Sequence, residues 1–71
     1  NLELLGPASA LTGTIRRGDV GTIDAHLGAL TADDRRLYAV LGLRAVALAK
    51  EAGLDATRAE ELVRRLGPAA E

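Results

Sequence analysis

The sequence predicts an all-α fold, a small bundle of about four helices, on three observations. Alanine and leucine, both strong helix formers, supply 14 and 13 of the 71 residues. The β-branched and aromatic residues that favour strands are few and scattered, with one Tyr and no Phe or Trp. Breaks are legible at Gly6-Pro7, Gly18-Asp19, Thr31, Gly53 to Asp55 and Gly67-Pro68, and they cut the chain into helix-sized pieces.

Asn1 to Leu5 reads as the tail of a helix, because Leu2, Leu4 and Leu5 precede Gly6 at the place of a helix-ending glycine. A chain that opens on a helix C-terminus without an initiator Met is expected to be a piece of a longer protein. Pro7 suits the first position of the next helix, which runs to about Arg17 with two cations in its last turn and Gly18 after it. Asp19 then caps a helix from about Val20 to Leu30, on which Val20, Ile23, Leu27 and Leu30 share one face. Thr31, with Asp34 three residues on, has the form of a capping box and opens the longest helix, about Ala32 to Ala52. From Ala39 onward only Arg44, Lys50 and Glu51 break its apolar surface, so burial on more than one side is expected, part of it against a surface outside this chain. Asp55 or Thr57 caps the last helix, whose apolar stripe is Leu62, Val63 and Leu66, and Pro68 to Glu71 is expected to fray.

A chain this short buries only about 60% of the surface that its unfolded state exposes. Disulfides, metals or partners usually assist domains on that margin. With no Cys and one His, the first two aids are nearly excluded, and burial against another surface is left. Nine basic against ten acidic residues give a net charge of -1, which supplies no electrostatic footprint for nucleic acid. The longest apolar run, Ala45 to Ala49, is far below the roughly 20 residues of a membrane span, and no signal peptide is visible. The chain therefore reads as a soluble, cytoplasmic domain that binds neither nucleic acid nor membrane.

Gly13 and Gly18 have the glycine spacing of a phosphate loop, but Asp19 and Val20 stand where the Lys and Ser or Thr should be. No Gly-x-Gly-x-x-Gly follows a strand, so the chain is not expected to bind a dinucleotide, and scattered carboxylates around a single imidazole make no metal site. His26 lies at the edge of its helix stripe and reads first as a boundary residue that bonds a neighbouring helix, with a catalytic or substrate-contacting role as the alternative. Tyr38 reads as a half-buried packing residue. Arg17-Gly18-Asp19 spells an adhesion tripeptide, but a cationic helix end followed by a capping Asp accounts for it. The charges at Asp33 to Arg36 and at Glu60 to Arg65 read as solvated faces with i,i+4 pairs such as Glu60 to Arg64 and Glu61 to Arg65.

The run Leu5-Gly6-Pro7-Ala8-Ser9-Ala10-Leu11-Thr12-Gly13-Thr14-Ile15-Arg16-Arg17-Gly18-Asp19, continued by Thr22-Ile23, His26-Leu27 and Leu37-Tyr38, resembles the C-terminal helical domain of a bacterial family of Rossmann-like NAD(P)-dependent oxidoreductases whose function is undefined. That family is similar in layout to pyrroline-carboxylate and ketopantoate reductases and to the wider 6-phosphogluconate-dehydrogenase-like group. The resemblance implies that residues 1–71 form one helical domain, that the NAD(P)-binding Rossmann domain lies N-terminal to it and outside this chain, and that the helical domain closes the substrate cleft and builds a homodimer. It implies no cofactor site in these residues. Matching positions are Thr12, Gly13, Arg17, Asp19 and His26, from which Arg17 and His26 are the catalytic candidates and Thr12 and Arg17 the contacts to a small-molecule substrate. A guanidinium holds a carboxylate bidentately and an imidazole exchanges a proton near neutral pH. Thr14 stands where the family has Pro, which leaves the local backbone open. A free-standing helical interaction module is the reading from a different class.

Overall fold

A computed structural model describes residues 11–71. Every regular element among them is helical: α1 over residues 11–17, α2 over Val20–Ala29, α3 over Ala32–Glu51, α4 over Ala56–Leu66, and a terminal 3₁₀ turn over Pro68–Ala70. The all-α reading holds. The helix tail expected over Asn1 to Leu5, the start at Pro7 and the motif residues before Leu11 lie outside the described residues.

Local capping sets the element ends. After α1, Gly18 adopts φ 66°, its N–H reaching the Ile15 carbonyl while the Asp19 N–H reaches that of Thr14. These two bonds form a Schellman motif, which asks for a residue free of the Cβ penalty at positive φ. The same pair recurs after α3, where Gly53 at φ 111° donates to Lys50 and Leu54 donates to Ala49. Asp19, Thr31 and Asp55 cap α2, α3 and α4 by accepting from the backbone N–H three residues on. Asp55 is thereby chosen over Thr57. Helix α1 continues through Thr14, whose side chain is buried.

α3 is the central element, packed against α4 and the terminal turn, while α2 leans mainly on α4. The core consists of Leu11 and Ile15 from α1, Ile23 from α2, Ala39 and Val46 from α3, and Ala59, Leu62 and Leu66 from α4. Gly42 sits on the buried face of α3, and a Cβ built there would lie 2.9 Å from Leu66 Cδ1. The close approach of α3 and α4 therefore depends on this glycine.

Three expectations change. Pro68 to Ala70 form a hydrogen-bonded turn instead of fraying, because Pro pre-sets a helical φ and the small Ala69 and Ala70 side chains fit against the core. Val63 is exposed, since the buried face of α4 runs through Ala59, Leu62 and Leu66. Leu30 is an extended cap residue, so α2 ends at Ala29, and of its expected stripe only Ile23 is fully buried. Within this chain α3 is buried on one side, along Ala39, Gly42 and Val46, while Leu37, Val40, Leu41 and Leu48 are 49–60% exposed.

Candidate functional site

The five matching positions fall on α1, its C-terminal turn and α2. Thr12 and Arg16 are one helical turn apart, and they face the C-terminal half of α3 and the start of α4 across an open groove of 640 Å³. Ala45, Leu48, Ala49, Ala52 and Leu54 supply its apolar lining, and Asp55 and Arg58 its polar end. Arg17 takes a different course. Its Nη1 lies 3.3 Å from where a Cβ on Gly13 would stand, so the side chain folds back along its own helix over the space that this glycine leaves.

Arg17 also contributes its carbonyl, which accepts from Arg58 Nη1 at 3.0 Å. Arg58 in turn lays its stem against Gly18, with Cδ 3.0 Å from the position of a Cβ there. A guanidinium thus satisfies one of the carbonyls that the end of α1 leaves without an intrahelical partner. Arg35 does the same for α2. Its Nε donates to the Leu27 carbonyl at 2.9 Å and its Nη2 to that of Leu30 at 3.1 Å, so the expected solvated charge is instead a part-buried clamp between α2 and α3. Arg65 ties α4 to Asp24 of α2 at 2.8 Å and shares Glu61 with Arg64. The expected Glu61 to Arg65 pair is present at 3.5 Å, and Arg64 takes Glu61 at i,i+3 as its partner instead of Glu60.

Asp19 is an architectural residue. Its carboxylate accepts from the Thr22 hydroxyl at 2.6 Å and from the Thr22 N–H at 3.1 Å, and these bonds, with lesser help from the charges of Arg17 and His26, hold its pKa below the ordinary value of 3.8. A lowered folded-state pKa contributes stability that is present above 3.8 and is lost as pH falls through the folded value. Chemical denaturation of the native chain and of Asp19→Ala should therefore differ near neutral pH, and the difference should shrink in acid. A gap that stays constant with pH would remove the carboxylate from the cap's energetics.

His26 bonds a neighbouring helix, as its position at the edge of the stripe suggests. Its Nδ1 and the Tyr38 hydroxyl of α3 are 2.7 Å apart, with the rings edge to face at 89°. Burial pushes the Tyr38 pKa up, which keeps the phenol protonated. Thr12 therefore lies in the groove with Arg16, and neither Arg17 nor His26 is among the groove's lining residues. Spacing within α1 made the Thr12 and Arg16 pairing legible. Nothing local marks Arg35 or Arg58, whose carbonyl partners lie 5, 8 and 41 residues away.

Among the described residues no group of three or more His, Cys, Asp or Glu could hold a metal ion, and no helix is long and apolar enough to cross a membrane. No curated protein and no solved structure matches the chain. One family does match, over residues 1–45, a stretch that takes in α1, its glycine turn, α2 and the first two thirds of α3. The chain belongs to that family, described as a domain of unknown function, DUF2520.

Proposed function

We propose that this chain is the C-terminal helical domain of an NAD(P)-dependent oxidoreductase, where it supplies the dimer contact and the substrate-side wall of the cleft and is inactive alone. The described residues contain no strand ending in a glycine-rich turn, so they do not fit a dinucleotide. Its nicotinamide would belong to the Rossmann domain. The motif resemblance over Leu5 to Tyr38 supports the assignment.

The exposed apolar row on α3 is the observation that carries the dimer. Leu37, Leu41 and Leu48, with Arg44 between the last two, follow spacings of 4, 3 and 4, and Val40 widens the row. That period is the seam of one helix packing along another. A second copy of α3 running antiparallel would set Leu41 against Leu48 of the partner subunit and bring the Arg36 end of one helix to the Glu51 end of the other. Sedimentation of the chain at micromolar concentration is expected to show a dimer. Leu41→Glu, on the solvent side of α3, should yield a folded monomer, because the dimer would enclose an unpaired carboxylate. A compact monomer of the native chain would remove the dimer role, and an unchanged dimer in Leu41→Glu would move the contact away from this row.

A further inference from the structure

We propose that the groove between α1, α3 and α4 binds a small monocarboxylate with a short aliphatic chain, its carboxylate taken by Arg16. This deepens the substrate-wall reading by naming a ligand class. Three observations meet here. The groove holds two guanidiniums, Arg16 and Arg58, against the one carboxylate of Asp55. Asp55 is already engaged, accepting from the Arg58 N–H at 3.1 Å as the cap of α4, and Arg58 is tethered to the Arg17 carbonyl at 3.0 Å. Arg16 alone of the three charged groups has no hydrogen bond or ion pair within the described residues.

The groove therefore presents one uncommitted guanidinium beside a second that is held in place, and its field favours an anion. A planar fork of N–H donors matches a carboxylate, and one free fork matches a single negative charge better than two. The rest of the lining argues for an apolar body. Ala45 and Ala49 of α3, Ala52 at its C-cap and Leu54 line the groove, and a bare inorganic anion would leave them without a contact. At 640 Å³ the space is of the size that small-molecule sites occupy, roughly 300–1,000 Å³.

The test is a titration of the ¹⁵N-labelled chain followed by amide chemical shifts, with hexanoate, hexanol, hexylammonium and inorganic phosphate as probes. Hexanoate is expected to move the amides of Arg16, Ala52, Gly53 and Leu54, and hexylammonium to leave them in place. Arg16→Gln should weaken hexanoate about tenfold, the loss of a charge-assisted bidentate contact, while Arg36→Gln on the opposite end of α3 leaves it unchanged. Equal shifts from hexanol and hexanoate, undiminished binding in Arg16→Gln, or tighter binding of phosphate would each overturn the proposal. Its fate is separable from that of the dimer: hexanoate bound to a monomer keeps the site and removes the dimer, and a dimer indifferent to hexanoate does the reverse.

Discussion

Leu66→Ala should cost about 2–5 kcal/mol of stability, the range for truncating a fully buried leucine, and it should reverse the sign of the effect of Gly42→Ala. Leu66 is 0% exposed and its two methyl groups stand 2.9 and 3.1 Å from where a Cβ on Gly42 would be. Gly42→Ala in the native chain is therefore a contest. A helical alanine gains roughly 1 kcal/mol over glycine, but overpacking a site whose neighbour cannot retreat typically costs about 1–3 kcal/mol. Destabilisation should win. With Leu66 already truncated the clash is gone, and the same Gly42→Ala change should stabilise. Urea denaturation of the two single variants and the double variant gives the coupling directly; costs that simply add would show that α4 shifts to make room and that the close helix contact is not specified by this glycine.

Arg35→Met, which keeps the stem and removes the charge, should cost about 1–3 kcal/mol, because the Leu27 and Leu30 carbonyls lose a charged donor in a part-buried place. Lysine should restore only part of this. A single ammonium is a point charge and does not reach two carbonyls with the fixed geometry of a guanidinium. Arg36→Met, one residue on and exposed, should stay within about 0.5 kcal/mol of the native chain. Thermal unfolding of the three variants decides it, and equal effects at Arg35 and Arg36 would reduce the clamp to a surface contact.

What the sequence made legible follows from the range of each interaction. Asp19, Thr31 and Asp55 bond three residues ahead, and Gly18 and Gly53 close rings within five residues, so the helix borders could be read from neighbours alone. Val63 could not be placed, because its stripe with Leu62 and Leu66 does not show which edge of α4 turns inward, and that depends on how α4 lies against α3. The terminal turn escaped for the same reason: Pro68 announces a break, but only the nearby surface of α3 makes the break a packed one. Within the site, Thr12 and Arg16 share a face by spacing, whereas Arg58, Asp55 and Leu54 join them only through the fold. The motif pairs Thr12 with Arg17 by resemblance, whereas the fold lines the groove with Thr12 and Arg16 and lays Arg17 over Gly13.

The bond between Tyr38 and His26 has an optical consequence. Tyr38 is the one Tyr in a chain without Trp or Phe, so intrinsic near-ultraviolet absorption and fluorescence come from a single phenol held against an imidazole at the seam of α2 and α3. Its emission, quenched or shifted by that neighbour, reports the docking of those two helices at the place where the phenol packs against the aliphatic core. Far-ultraviolet dichroism, by contrast, sums over every helix. The two signals therefore watch different parts of one small molecule, and their coincidence or separation on unfolding shows whether the α2–α3 seam opens with the bundle or ahead of it.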